Sequence, residues 1–400
     1  MLMRVLITNN TLAVRAGSEL YVRDLAAGLI ERGHTPIAYS TRLGEVAEEL
    51  RAATVPVIDD LRLLAVPPDI IHGQHHVETM TALLHFPAVP AVYFCHGWMP
   101  WEEAPPCFPR ILRYVAVDFT CRDRLLFEHA IPEDQIRVLH NFADLEKFKP
   151  RPPLPSSPRR ALVFSNYASE NYSLAAVREA CNRANISLDV LGSLAGNATA
   201  RPEEILGSYD IIFAKGRSAI EAIAVGAAVI LCETDRVGQM VTTDEFDRLR
   251  SLNFGIRAIQ LPIDAETVSQ EIARYDPADA AEVSRRLRAV AGRDETMDEI
   301  ISLYEEVIAQ HRAAAPIDLR DEERAAAAYL RWLAPRLKER DQLYGQIARL
   351  SGQLEEKASE IERITSSLGW RLVNLFGPIK HRLLLPVWKR LKKPFARPDA

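Results

Sequence analysis

The run Phe213-Ala214-Lys215-Gly216-Arg217-Ser218-Ala219-Ile220-Glu221 holds the residues best suited to chemistry. Ile211 to Phe213 reads as a short apolar strand, followed by a glycine-containing turn with two cations and then a helix. A turn with free backbone N–H groups that opens a helix favours an anion, through unpaired amides and the helix dipole. Lys215 and Arg217 add charge that suits a phosphate. Glu221 falls one helical turn further on, where a carboxylate can accept hydrogen bonds from the vicinal hydroxyls of a sugar. A cationic phosphate cradle followed by a diol acceptor points to a nucleotide-sugar site. Read blandly, the same residues are solvated loop charges and a helix-start acid.

The elements that must position this run follow from apolar periodicity. Val5 to Ile7 reads as a first strand, and Ser18 to Arg32 as a helix in which Leu20, Leu25 and Leu29 recur at helical spacing. Gly33 stops that helix, and Pro36 to Tyr39 starts the next strand. Further apolar runs at 70–72, 91–95 and 114–117 alternate with helical or loop stretches. Lys149 to Pro158 is rich in proline, which neither a helix nor a sheet interior accommodates, so it reads as an exposed linker. Alternation resumes at Ala161–Phe164, with strands near 188–191, 211–213 and 229–231. Short apolar strands alternating with helices imply doubly wound parallel sheets, with ligands bound beyond the strand ends.

The helix Glu221-Ala222-Ile223-Ala224-Val225-Gly226 resembles the nucleotide-binding segment of the GT-B glycosyltransferases, in particular the retaining family 4. That family carries a second glutamate eight residues upstream, near the transferred sugar. Phe213 stands there in this chain. Three further stretches resemble the same family. Gly17 lies in Ala16-Gly17-Ser18-Glu19, similar to the glycine-rich loop before the first helix, whose implied role is close approach to the donor phosphate or acceptor. His96, after the strand 91–95, is similar to a family histidine near the sugar hydroxyls. His140 to Pro150 resembles the domain junction, with Phe142 replacing a glycine. The opening of the second domain, 164–172, lacks the Gly-Arg…Lys-Gly cations that clamp the diphosphate in the family, and Lys215 and Arg217 are the candidates to replace them.

The expected architecture is therefore α/β, with two Rossmann-like domains. Residues 1–149 form an acceptor-side domain, 150–160 a linker, 161–317 the nucleotide-sugar domain, 318–368 a helical and coiled-coil segment, and 369–400 a basic amphipathic tail. In the coiled-coil segment Leu343, Ile347, Leu350, Leu354, Ile361, Ile364 and Leu368 recur 3 and 4 apart with Lys357 in register, which predicts a homo-oligomer. An intramolecular docking helix is the alternative. Basic residues mixed with aromatics and leucines in the tail favour an anionic membrane surface, with no run long enough to span a bilayer. A solvated tail and an RNA-binding tail are the other readings. Ser366 to Leu372 also resembles a Ser-x-x-Trp-Arg element at the ends of some bacterial polysaccharide glycosyltransferases.

With 400 residues, a hydrophobic share of 48% and a net charge of −5, the chain has material for two cores and little attraction for nucleic acid. The five cysteines lack C-x-x-C spacing and read as reduced thiols of a cytoplasmic protein. The N-terminal run is too short for a signal peptide. His72, His75 and His76 read as loop or acceptor-cleft residues rather than a metal site, and no cofactor is expected. Taken together, the expectation is a retaining glycosyltransferase that moves a hexose from a UDP-, GDP- or dTDP-sugar to a glycan or lipid-linked acceptor. Gly17, Lys215, Gly216, Arg217, Ser218 and Glu221 would bind the donor, and His96 would act on the opposite wall. The alternatives are a degenerate fold that acts as a binding or assembly subunit through its coiled coil, and a nucleotide-sugar epimerase.

Overall fold

The structure, a computed structural model, describes residues 2–168, 172–315 and 318–370. Its contacts group the chain into two compact units, Met1–Ala325 and Ala326–Ala400. The first unit contains two sheets.

The first sheet is built from β1 (Arg4–Thr8), β2 (Thr35–Tyr39), β3 (Val57–Ile58), β4 (Ile70–Gln74), β5 (Ala91–Cys95), β6 (Ile111–Ala116) and β7 (Ile136–Val138), in the order 3-2-1-4-5-6-7 and all parallel. The strand order reverses between β1 and β4, which opens a crevice at their carboxyl ends. The helices α1 (Gly17–Glu31), α2 (Glu45–Ala52), α3 (His76–His85) and α4 (Phe119–Asp123) connect these strands. Every residue of β4 and β5 is buried, as expected for strands covered on both faces.

The second sheet comprises β8 (Arg160–Phe164), β9 (Ser187–Leu191), β10 (Ile211–Ala214), β11 (Ala228–Cys232), β12 (Arg236–Met240) and β13 (Leu261–Pro262), in the order 13-12-11-10-8-9. Its first four strands in sequence pair in parallel, and β12 and β13 extend the edge antiparallel. The alternation of the sequence thus yields two Rossmann-like halves, the second with an antiparallel edge that periodicity did not disclose. The helices α5 (Tyr172–Arg183), α6 (Gly216–Ala224), α7 (Phe246–Ser251), α8 (Ala265–Ile272) and α9 (Pro277–Val290) belong to this half.

The chain crosses between the halves twice. At the first crossing Phe142 is buried in the core of the first sheet, while its neighbour Ala143 is buried in that of the second. At the second crossing Ala143 N–H donates to Ala291 O at 2.9 Å. The helix α10 (Arg293–Ala313) then returns to the first sheet, where Met297, Ile300, Tyr304 and Val307 join the core of Val5 and Ile7. Close approach of α10 to α1 depends on Gly28, because a Cβ there would meet Met297 Cγ at 2.8 Å.

The helix α11 (Leu319–Ser366) is continuous through Pro335, and its apolar heptad positions from Leu343 to Leu368 are exposed. Within the segment 318–368 expected to be helical, Leu319–Ser366 is thus a single helix. Among the described residues no helix is long and apolar enough to cross a membrane. The basic tail lies at 371–400, outside the described residues.

Candidate functional site

Two helix N-termini meet at the gap between the sheets. Strand β10 ends at Ala214 and α6 begins at Gly216, so only Lys215 separates them. This turn is tight because Gly216 adopts a φ of +52°, which a side chain disfavours, and a Cβ there would project into open space. The first hydrogen bond within α6 runs from Ala219 N–H to Lys215 O, which leaves the Arg217 and Ser218 amides ahead of the helical ladder. In α1 the first such bond is Leu20 N–H to Ala16 O, so the Gly17 and Ser18 amides stand likewise. Neither helix start has a side-chain cap. Ser18 Oγ donates to Glu19 Oε2 at 2.9 Å.

Gly17, Arg217 and Ser218 line two adjoining hollows. The smaller, of about 420 Å³, also takes in Glu221, Asn166 and the segment 198–203. The larger, of about 610 Å³, is bounded by His96, Trp98 and Glu103 on the side of the first sheet, and by Lys215 and Glu233 on the other. All seven predicted site residues therefore line one or both hollows.

Their charges are already engaged. Arg217 Nε donates to Glu221 Oε1 at 2.8 Å, and Arg217 Nη2 donates to Asp24 Oδ2 from α1. Asp24 also accepts from Arg23 Nε at 2.9 Å. Burial pushes the Asp24 carboxyl up, but Arg217 and then Arg23 outweigh it and hold it at about 2. Burial keeps Glu221 above the usual carboxylate range, with Arg217 opposing. The guanidinium thus commits Nε and Nη2 to carboxylates, and Nη1 is the nitrogen that remains for a phosphate. Lys215 Nζ pairs with Glu233, on the loop after β11.

Asp24 and Glu233 carry this arrangement, and sequence reasoning gave neither a role. For Asp24 a signal existed, namely a carboxylate two helical turns past Gly17. For Glu233 none did, since its meeting with Lys215 depends on the order of strands β10 and β11.

His96 follows β5, with its ring edge-on to Tyr21 at a centroid distance of 4.5 Å. Its backbone N–H donates to Glu103 Oε2 at 2.8 Å, while its side-chain Nε2 is buried with no protein partner. Burial lowers its pKa to about 4, with Glu103 opposing, so the ring is neutral near pH 7. That suits hydrogen bonding to a hydroxyl better than holding a charge.

Of the reading of His72, His75 and His76 as loop or cleft residues, the loop position holds for His75, whereas His72 and His76 lie in regular elements. His72 is fully buried on β4, its Nδ1 2.6 Å from the Tyr304 hydroxyl. His75 lies between β4 and α3 with Nε2 3.5 Å from Glu103, and His76 begins α3. Phe213 is fully buried at the centre of the second sheet, opposite Val163 of β8 and Ile230 of β11. With a one-residue connection from β10 to α6, the position eight before Glu221 falls inside the strand and not in a loop over the cleft.

Comparison with known proteins agrees with this architecture. The sequence profile described as Glycosyltransferase Family 4 matches residues 15–147. No curated protein matches the chain significantly. Among solved structures, a glycosyltransferase from Rickettsia africae is similar at 17% identity and a TM-score of 0.57, over 77% of this chain and 99% of that one. HepE from Anabaena, solved with UDP and glucose, is similar at 14% identity and a TM-score of 0.56, over 76% and 99%. HepE solved with UDP-glucose is similar at 13% and 0.56, over 75% and 100%. At such identities the likeness is one of fold. Together with the profile match over residues 15–147, it gives this chain the two-sheet GT-B fold of these glycosyltransferases.

Proposed function

We propose that this chain is a retaining glycosyltransferase, which moves a hexose from a nucleotide-diphosphate sugar to a glycan or lipid-linked acceptor in surface polysaccharide synthesis. One observation carries the reading. Two uncapped helix starts, each with a glycine that leaves open space, flank the seam between two hollows. A diphosphate at that seam meets the Arg217 and Ser218 amides of α6, the Gly17 and Ser18 amides of α1, and Arg217 Nη1. The nucleoside then occupies the smaller hollow, where Glu221 Oε2 accepts from ribose hydroxyls. The sugar occupies the larger, against His96, Lys215 and Glu233. HepE, similar in fold, is seen with UDP-glucose, which supports a nucleotide-sugar donor. In a retaining transfer the leaving phosphate oxygen takes the acceptor's proton, so a neutral His96 positions a hydroxyl without acting as base.

Titration calorimetry with UDP-, GDP- and dTDP-sugars tests this. One series is expected to bind, and Glu221→Gln is expected to weaken it about 10-fold or more, the loss of a charge-assisted hydrogen bond or two. If no nucleotide binds the folded chain, the reading fails. The occupied cations and the buried Phe213 favour one second reading, a binding or assembly subunit. Binding without transfer or hydrolysis of the donor would select it.

The exposed heptads of α11 support self-association through a second copy of the helix. With Leu343 at d and Ile347 at a, Lys357 falls at d. Sedimentation equilibrium is expected to give a dimer or higher oligomer for the full chain and a monomer after truncation at residue 341. A monomeric full chain would remove this proposal. The tail, with its excess of Lys and Arg, supports a peripheral position on an anionic membrane at the cytoplasmic face.

A further inference from the structure

Beside the larger hollow, on the side of the second sheet, lies a recess of about 30 Å³. Among the described residues its floor is largely apolar: Val163 of β8, Phe213 of β10, Ala168, and Leu174 and Val177 of α5, with Cys232 at the end of β11 beside them. Its remaining wall is shared with the larger hollow through Ser165, Tyr167, Glu233 and Thr234. The polar groups are therefore at the mouth and the hydrocarbon is at the base.

Phe213 backs the recess from within β10. Space of this size admits one water or one methyl group. With hydrocarbon and one cysteine, a weak hydrogen-bonding group, at its base, a water there would forgo most of its hydrogen bonds, whereas a methyl group forgoes none. Around the mouth, Glu233 is held by Lys215 and its Oε1 accepts from Thr234 N–H at 2.9 Å, which fixes polar partners beside the apolar floor.

We propose that the transferred sugar carries a methyl-terminated substituent and that this recess receives it. The inference rests on the donor placement given above, which puts the sugar against Lys215 and Glu233. Two substituents share the required chemistry. An acetamido group ends in a methyl beyond an amide that the polar mouth can satisfy, and a 6-deoxy sugar ends in a methyl directly on the ring.

The test uses the full chain and, within whichever nucleotide series binds, three donors that differ only in the sugar: glucose, N-acetylglucosamine and 6-deoxyglucose. Sharing one base cancels any preference for it. One methyl-bearing donor is expected to bind about 10-fold or more tightly than the glucose donor, the usual worth of a methyl in a fitted apolar pocket. Which of the two gains identifies the substituent. Val163→Ile adds one methyl group to the floor and is expected to erase most of that preference while leaving affinity for the free nucleoside diphosphate unchanged. Ala168→Val, from another wall, should act alike, which guards against one variant failing to fold. Equal binding of all three donors would overturn the proposal while leaving the donor site intact, as would a preference that both filled variants retain. Absence of any nucleotide binding would instead remove the donor reading beneath it.

Discussion

Arg217→Met is expected to lower stability at pH 7 by about 3–5 kcal/mol, because it leaves the buried Glu221 without its cation and Asp24 with Arg23 alone. Asp24 and Glu221 are only 4% and 7% exposed at their side chains, so water cannot replace the lost partner. A surface pair would cost a fraction of this. The pH dependence gives the signature. In the folded wild type Asp24 sits at about 2, below the roughly 3.9 of an unfolded chain. A depressed carboxyl stabilises the fold above its unfolded pKa, and that contribution, about 2–3 kcal/mol, fades as pH falls from about 4 to 2. Without Arg217 only Arg23 still opposes burial, and the Asp24 pKa rises. The difference between wild type and variant should therefore be widest at neutral pH and narrow below pH 4. Urea unfolding at pH 7 and at pH 3.5 measures both. A gap within 1 kcal/mol at pH 7, or one that widens in acid, would show that solvent reaches this cluster.

The same variant reports on the gap between the sheets. Asp24 belongs to α1 of the first half, and Arg217 and Glu221 belong to α6 of the second. Arg257 forms a second tie, with Nη1 2.6 Å from Asp123 Oδ2 and its guanidinium 5.5 Å from the Trp98 ring centroid. The proposed donor site is thus bounded by ion pairs that join the halves, and a diphosphate bound there would be accommodated by groups that already hold those halves together. An Arg217 variant is expected to lose donor affinity and coupling between the halves together, whereas Glu221→Gln should chiefly weaken the nucleotide.

What the sequence disclosed divides along a physical line. Strand and helix positions were legible because parallel strands buried on both faces are written as apolar runs, as at Ile70–Gln74 and Ala91–Cys95. The seven candidate residues could be named because they belong to local patterns, a glycine turn or a strand end, and the structure brings all of them to the same two hollows. Asp24, Glu233 and the crossing of α10 back to the first sheet were not legible. Each depends on contacts over long sequence separations, set by strand order. Phe213 is the instructive case. Counting eight residues back from Glu221 names this position, and β10 runs through it with the side chain buried in the core. The residue consequently reads as a missing acid in sequence and as a core aromatic in space.

Arg110→Ala is expected to be as damaging as loss of Arg217, about 3–5 kcal/mol, for a reason that lies outside the cleft. Arg110 precedes β6 and is 1% exposed. Its Nη1 donates to Phe86 O and Val89 O, each at 2.8 Å, and its Nη2 donates to Leu83 O at 2.5 Å. These carbonyls lie at and just past the end of α3, where a helix leaves its acceptors unpaired. The same guanidinium grips Glu322 in the first turn of α11, through Nε to Oε1 at 2.6 Å and Nη2 to Oε2 at 3.2 Å. A carboxylate in a first turn is also favoured by the helix dipole. One planar fork therefore satisfies three buried carbonyls and ties the start of α11 to the first sheet. Lysine offers a single nitrogen, which cannot reach acceptors on opposite sides, so Arg110→Lys should recover little of the loss. Glu322→Gln keeps the carbonyl bonds and removes only one charge, and is expected to cost about 1–2 kcal/mol. Urea titrations of the three variants are expected to rank them alanine, then lysine, then the glutamine change at position 322. A lysine variant as stable as wild type would mean that a point charge suffices there, and that the start of α11 is held by something other than this fork.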